Sequence, residues 1–257
     1  MHDESRRAAR TIEAGGVTAR LVRKRVKNLT LRVYPPDGRV EVSAPLRMPE
    51  RAVVAALHAR REWIERHRRR FAAVARRDPL SCVDGETIAV LDERVTLRFA
   101  ERGARPHGEP PAPTLLVTTA PGAGRAEKLA ALQRRLRRVA AREFAAEVSL
   151  WAGRMGLPTP TVQVRRMTSR WGTCHVRAGK VVLNLALVTR PRACLEYVVV
   201  HELAHLLVPD HSPRFWSVVA RHLPGWRDAR AALRAEPLWA DAVWGPSADL
   251  GEAEEAR

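Results

Sequence analysis

Cysteine is scarce in this chain, and the few cysteines present do not cluster. There are three cysteines, an odd number, and no two of them have the C-x-x-C spacing: Cys82, Cys174 and Cys194. A disulfide scaffold needs paired cysteines, and a cysteine zinc knuckle needs closely spaced ones. The sequence therefore indicates neither class of protein.

Long apolar runs are also missing. Residues 1–16 are polar overall and contain no apolar stretch like that of a signal peptide. Charged residues interrupt every longer apolar run before it reaches the roughly 20 residues of a membrane span. We therefore expect a cytoplasmic protein with reduced cysteines and no membrane partner. The hydrophobic share of 46% over 257 residues is nevertheless sufficient for a buried core.

Lysine is rare, although positive charge is abundant. Lysine occurs only at positions 24, 27, 128 and 180, so nearly all of the 45 basic residues are arginine, and the formal net charge is +17. A surface of this kind attracts polyanions such as nucleic acid. The arginine-rich runs at 59–61, 68–70 and 134–138 leave two interpretations open, a generic basic surface and a nucleic-acid contact.

The first half of the chain has the pattern of a β-rich region. Alternating apolar residues predict strands at 17–22, 29–34, 40–43, 87–91, 95–99 and 115–119. Between the two groups, apolar residues at helical spacing predict one helix over 49–71. Proline and glycine predict a loop at 103–113. We expect a flexible tail at 1–14 and a β-rich subdomain with one helix at 15–120.

The second half of the chain is mainly helical. The patterns predict helices at 126–156, 190–207, 212–223 and 226–235, a strand at 161–166, and a hairpin formed by 169–177 and 180–188. We expect a catalytic subdomain at 121–236 and a tail at 237–257. The fold class is therefore α+β.

One helix carries a metal-binding motif. His201, Glu202 and His205 form H-E-x-x-H in a strongly apolar run. Residues at i and i+4 share a helix face, so both imidazoles can bind one Zn²⁺ ion. Glu202 lies beside them and is placed to accept a proton from a water molecule that the metal activates.

A catalytic zinc site needs a third protein ligand, and His211 is the candidate. It follows His201 by ten residues, the spacing of the H-E-x-x-H-x-x-G-x-x-H pattern. Val208 stands where that pattern has glycine, so Pro209 must help to end the first helix. Ser212, followed by proline, predicts the start of the next helix. No methionine turn is evident.

The motifs of this region together resemble those of the YgjP-like metallopeptidases, relatives of the SprT-like and WLM peptidases. The similar runs are Arg170-Trp171-Gly172-Thr173-Cys174, Val182-Leu183-Asn184, Tyr197-Val198-Val199-Val200-His201-Glu202-Leu203-Ala204-His205 and His211-Ser212-Pro213-Arg214-Phe215-Trp216. The resemblance extends over about 15–236 and is strongest over 168–230. It implies a zincin-like core, with the motif helix beside a small antiparallel sheet. It also implies peptidase activity with one zinc ion.

The residues before the motif helix suggest a substrate site. An extended peptide can add to a sheet edge, and the predicted hairpin offers one, with Trp171 beside it and Gly172 allowing close approach of a backbone. Trp171 is equally well explained by core packing, and Asn184 by a structural turn. Cys174 is expected to be a small buried residue. Phe215 and Trp216 are expected to pack beneath His211.

Three functions remain open at this stage. The first is a zinc metallopeptidase that cleaves a peptide or protein with Glu202 as general base. The second is a nucleic-acid-associated protein with a zinc site, including a DNA-stimulated protease. The third is a metal-dependent hydrolase that acts on a non-peptide bond. The complete H-E-x-x-H motif favours the first, because a structural zinc site needs no base.

Overall fold

The computed structural model describes residues 10–73, 79–103, 113–167, 170–236, 238, 241–244 and 252–256. Its class is mixed α+β, with three small sheets and six α-helices among these residues. The chain divides into two compact units. One unit comprises residues 1–76 and 246–257, and the other comprises residues 77–245. None of the helices in the described part of the chain is long and apolar enough to cross a bilayer.

The first unit is built on a five-stranded sheet. Its strands are β1 (Arg10–Ala14), β2 (Val17–Lys24), β3 (Leu29–Tyr34), β4 (Arg39–Pro45) and β11 (Glu252–Ala256). They lie in the order β1-β2-β4-β3-β11, and the β2–β4 pair is the parallel one. Strand β1 occupies part of the predicted flexible tail, which is a correction. Ile12 and Ala14 are buried and alternate with exposed polar neighbours, so the polar composition concealed a strand pattern.

Two helices, α1 (Glu50–Ala59) and α2 (Arg61–Ala73), replace the single helix predicted for 49–71. Helix α1 ends at Ala59, and the N–H of its C-cap residue, Arg60, still donates to the carbonyl of Ala56 at 3.1 Å. The apolar stripe continues through both helices, because Leu57 and Ile64 are fully buried on either side of the break. The apolar periodicity therefore predicted the buried face correctly, but it did not predict the break between the two helices.

The second unit begins with a three-stranded sheet that packs on a long helix. The elements are β5 (Thr87–Val90), β6 (Glu93–Glu101), β7 (Thr114–Thr119) and α3 (Arg125–Arg154). Leu97 and Val117 share one buried core with Leu132 and Leu136 of the helix. This shared core explains why the compact units divide near residue 76, whereas the sequence predicts a subdomain limit near residue 120.

The third sheet lies next to the candidate site. Its strands are β8 (Thr161–Arg165), β9 (Gly172–His175) and β10 (Lys180–Asn184), with β10 in the centre. Strand β10 is antiparallel to β9, as predicted for the hairpin, and parallel to β8, so the sheet is mixed and not the small antiparallel sheet that the resemblance implied. Residues 185–189 form a 3-10 turn instead of continuing the predicted hairpin strand.

The last three helices are α4 (Arg192–Ala204), α5 (Pro213–His222) and α6 (Trp226–Ala235). Beyond them, part of the predicted C-terminal tail is packed. Asp241, Val243 and Trp244 are buried, and the Val243 carbonyl accepts a hydrogen bond from the Gln133 side chain at 2.9 Å. The tail prediction is therefore corrected for 241–244, which belong to an apolar stretch too short to show periodicity.

Candidate metal centre

Helix α4 presents the H-E-x-x-H motif from within the core. Asp92 accepts a hydrogen bond from the Arg192 N–H at 2.9 Å, which satisfies a donor at the helix start. The helix ends at Ala204, and His205 is its C-cap residue. His201 and His205 lie one turn apart on the same face, with ring centroids 5.1 Å apart. The motif spacing thus has the predicted local geometry.

His211 reaches the same point from outside this helix. The chain turns after α4, where the N–H of Val208 binds the carbonyl of Ala204 at 2.9 Å, and α5 then begins at Pro213. Ser212 occupies the predicted N-cap position, although its side chain makes no capping hydrogen bond. The turn returns His211 to α4, and its Nε2 lies 3.1 Å from Nε2 of His201.

The three histidines form a group with the spacing of metal ligands. One ligand atom from each of His201, His205 and His211 lies within 4.8 Å of the others. Two nitrogens at about 2.0–2.1 Å from a tetrahedral zinc ion are about 3.3 Å apart, close to the distance between His201 and His211. Within the described residues, this is the group of His, Cys, Asp and Glu side chains that could hold a metal ion.

The surroundings favour the neutral form of two of these imidazoles, His201 and His205. Burial, reinforced by the neighbouring histidines and Arg230, lowers the pKa of His201 to about 3. Burial also lowers the pKa of His205. A neutral imidazole is the form that binds a metal. Phe215 packs against all three rings, with centroid distances of 4.9, 4.6 and 4.8 Å, which confirms the packing predicted for it.

Glu202 follows His201 in the motif, and its side chain lies between helix α4 and strand β9. Its side chain is buried, and this burial raises the pKa of its carboxyl to about 7, although the N–H of Cys174 and the charge of Arg170 oppose the rise. A Cβ placed on Gly172 would lie 2.5 Å from Oε1 of Glu202. The sequence suggested that Gly172 makes room for a substrate, whereas here it makes room for the candidate base.

The other predicted substrate residues are placed differently. Asn184 is fully buried, and its amide nitrogen donates to the carbonyls of Met167 and Arg170 at 2.9 and 2.6 Å. It therefore holds the segment before β9 and does not face solvent. Trp171 is half-buried at the end of that segment, and the guanidinium of Arg190 lies 5.6 Å from its ring centroid. Cys174 is half-buried, and its thiol pKa is raised to about 11, mainly by burial.

Two contributions to the site were not found from the sequence. The N–H of Cys174 is a hydrogen-bond donor to Glu202, and no side-chain pattern can reveal a backbone donor. Arg230 lies over the ring of Trp216, which is itself 5.8 Å from His201 and 5.9 Å from His211. The arginines of α6 recur at helical spacing, and that pattern was the available signal.

Comparison with known proteins gives one family match. The model of the YgjP-like metallopeptidase domain matches residues 27–236. Among solved structures, the metallopeptidase zymogen abylysin of Pyrococcus abyssi is similar over 36% of this chain and 93% of its own, with 21% sequence identity and a TM-score of 0.34. No curated protein matches the chain.

Proposed function

Because the chain belongs to the YgjP-like metallopeptidase family, we propose that it is a zinc-dependent peptidase with Glu202 as its general base. His201, His205 and His211 would hold the single ion. The observation that carries the proposal is the convergence of three imidazoles within 4.8 Å, beside a buried carboxyl whose pKa is raised to about 7. Three protein ligands leave a fourth position open, as catalytic zinc requires.

Several features of the chain support zinc as the metal. All three ligands are imidazoles, which suit zinc among the divalent ions. Nε2 of His201 lies 3.1 Å from Nε2 of His211, so Nε2 is the atom that each of these two imidazoles would offer to the metal. When bound, the ion would supply a Lewis acid that polarises a peptide carbonyl and makes water more acidic.

In the proposed hydrolysis, Glu202 transfers the proton and the backbone of Cys174 positions Glu202. Glu202 accepts one proton from the attacking water while the water oxygen bonds to the carbonyl carbon. The same carboxyl donates that proton to the amide nitrogen as the C–N bond breaks, so that one carboxylic acid and one amine are released. The Cys174 N–H holds the carboxylate in place between these steps.

The substrate is proposed to bind along strand β9. It is the edge strand of its sheet, and an extended peptide can add a strand at such an edge. The outward N–H of Cys174 is already used by Glu202, so pairing would involve the backbone nearer Gly172. Trp171, at the start of this edge, would contact a substrate side chain, and Trp171→Ala should then raise KM more than it lowers kcat.

The test combines metal analysis with peptide cleavage. The purified chain is expected to contain one equivalent of zinc and to cleave members of a mixed peptide library. Glu202→Gln should keep the zinc and lose at least a thousandfold in kcat, while His211→Ala should lose zinc. His58→Ala, which removes an exposed histidine on helix α1 of the other compact unit, is the matched control and should change neither. Cleavage that survives Glu202→Gln, or a wild type without zinc, would overturn the proposal.

A second candidate function is nucleic-acid binding. Helix α3 exposes Arg134, Arg135, Arg137 and Arg138, and no carboxylate pairs with them among the described residues. An unpaired cationic helix surface suits a phosphate backbone. The affinity for duplex DNA should fall steeply with salt, and Arg134→Gln with Arg138→Gln should reduce the slope by about two. Absence of binding at moderate salt would remove this candidate.

A further inference from the structure

One face of helix α6 carries an arginine cluster close to the candidate metal centre. Arg227, Arg230 and Arg234 lie at i, i+3 and i+7, which places them on one side of the helix. Across the described ranges of the chain, none of the three has a carboxylate within ion-pair distance. The cluster is therefore a positively charged surface with no anion supplied by the protein that the structure describes.

Arg227 lies over one aromatic ring, 4.7 Å from the centroid of Trp226, whereas Arg230 contacts two. Its guanidinium lies 5.0 Å from the ring centroid of Trp216 and 5.8 Å from that of Trp226. The two rings are stacked, with centroids 4.6 Å apart and planes inclined by 20°. Contacts with both rings restrain the guanidinium by cation–π attraction and leave its N–H groups available, since the residue is only half-buried.

The same tryptophan connects this arginine to the metal ligands. Trp216 lies 5.8 Å from His201 and 5.9 Å from His211, measured between ring centroids, and stacks nearly parallel to His211. The guanidinium is thus separated from the candidate metal centre by one indole ring. An extended peptide advances about 3.3 Å per residue. A substrate side chain or terminus within about three residues of the scissile bond can therefore reach Arg230.

We propose that Arg230, held over Trp216 and Trp226, forms a subsite for a substrate carboxylate. The proposal rests on the proposed peptidase function and assigns a substrate class to it. A guanidinium matches a carboxylate with two parallel hydrogen bonds, and Arg227 and Arg234 add positive potential from the same face. The carboxylate can come from an Asp or Glu side chain or from the C-terminus of the substrate.

The experiment measures peptide cleavage by the zinc-loaded full chain and compares four matched kinds of peptide. A parent peptide, chosen from those that the wild type cleaves in a mixed library, is made with Glu or Gln at each position within three residues of the cut. The same peptide is also made with a free or an amidated C-terminus. We expect a preference of about tenfold in kcat/KM for one acidic kind of peptide, and that peptide identifies the source of the carboxylate.

Variants of Arg230 then test whether this residue causes the preference. Arg230→Gln should reduce the ratio of acidic to neutral kcat/KM to near one, and Arg230→Glu should favour a Lys peptide over a Gln peptide. Arg154→Gln is the matched control, because Arg154 also lies over a tryptophan ring, 4.7 Å from that of Trp151 on α3. The control should keep the wild-type ratio. An unchanged ratio in both Arg230 variants would overturn the subsite.

A binding measurement separates failure of the subsite from failure of the peptidase function. Zinc-loaded Glu202→Gln is titrated with two pools of capped peptides that differ only in Glu against Gln, and tryptophan fluorescence reports binding. If the wild type cleaves nothing, the proposed function fails, but tighter binding of the Glu pool that disappears with Arg230→Gln still supports the subsite. Equal binding of both pools would overturn it.

Discussion

The Cβ position of Gly172 lies 2.5 Å from Oε1 of Glu202, 2.7 Å from its Cγ and 2.8 Å from its Cδ. Distances under 3.0 Å are essentially never seen for a real Cβ atom, and they involve most of the side chain, so rotation of the carboxylate alone would not relieve them. The glycine is required here for space, and the N–H of Cys174 two residues later holds the same carboxylate. Strand β9 thus positions the candidate base.

Gly172→Ala should displace Glu202 and slow catalysis. The added methyl group occupies the volume of the carboxylate, and a displacement of about 1 Å at a catalytic group can cost roughly 10²-fold in rate. We expect kcat to fall by about that factor while the zinc content stays at the wild-type level, because the three atoms nearest to the added methyl group all belong to Glu202. Steady-state kinetics with metal analysis measures both quantities.

Gly153→Ala is the control for this prediction. Gly153 lies in helix α3, and apart from its chain neighbours and the backbone of the helix itself no atom lies within 4 Å of its Cβ position. Alanine in a helix interior is more favourable than glycine by roughly 0.5–1 kcal/mol, so this variant should be fully active and slightly more stable. Wild-type kcat in Gly172→Ala would show that the contact with Glu202 does not position the base.

The part of the site that the sequence predicts is the part set by local geometry. His201 and His205 share a helix face because helical spacing requires it, and the structure brings His211 to them after a turn at Pro209. Glu202 is adjacent in sequence. These relationships span eleven residues, so the pattern of residue types is sufficient to expect the group.

Relationships between distant segments were not predictable in this way. The space at Gly172 matters because β9 packs on α4, thirty residues further along the chain, and spacing carries no information on that approach. The same limit explains the parallel pairing of β8 with β10 and the packing of Asp241. Sequence periodicity reports burial within an element, whereas these features depend on which elements meet.

Glu202→Gln should stabilise the zinc-free protein at alkaline pH. Burial raises the pKa of Glu202 from its ordinary 4.5 to about 7. Between these values the folded state keeps the proton and the unfolded state releases it, so the wild type loses stability as pH rises through this window. Glutamine does not titrate. The stability of the variant relative to the wild type should therefore grow by on the order of 2–3 kcal/mol from pH 4.5 to pH 8.

Chemical denaturation of chelated protein at the two pH values measures this difference. Glu62→Gln is the control, because Glu62 is exposed on helix α2, and substitutions at such positions usually change stability by less than about 0.5 kcal/mol. A difference between Glu202→Gln and the wild type that is constant with pH would contradict the raised pKa.

Asn184→Ala should destabilise the protein and also lower its activity. The Asn184 side chain donates to the carbonyls of Met167 and Arg170 and accepts the N–H of Ala186 at 3.1 Å. Alanine leaves these buried and partly buried groups without their partners, at a cost of about 2–4 kcal/mol. The segment leading to β9 would then loosen, and kcat should fall.

Denaturation and kinetics of the same preparations test this prediction. Asn28→Ala removes an exposed asparagine between β2 and β3 and should leave both quantities near the wild type. If Asn184→Ala loses stability and retains full kcat, the asparagine supports the fold without positioning the strand beside Glu202.

A buried ion pair joins the segment after α6 to the start of α4. Arg190 is only 2% exposed, and its guanidinium lies 2.6 Å from Oδ2 of Asp241. Thr189 donates its hydroxyl to the same oxygen at 2.8 Å. The second carboxylate oxygen accepts the N–H of Val243 at 2.8 Å. Asp241 therefore fixes a short segment that sequence composition assigned to a tail.

Asp241→Ala should be among the most destabilising single substitutions, because it leaves the buried charge of Arg190 with only the carboxylate of Glu236, 3.9 Å away and half-exposed. Breaking one partner of a buried pair typically costs about 3–5 kcal/mol. The surface pair between Arg10 and Glu50, at 2.9 Å and largely exposed, provides the control, and Glu50→Ala should cost less than about 1 kcal/mol. Urea denaturation compares the two variants. Equal small losses would mean that Arg190 reaches solvent when Asp241 is removed, so that its charge is not trapped.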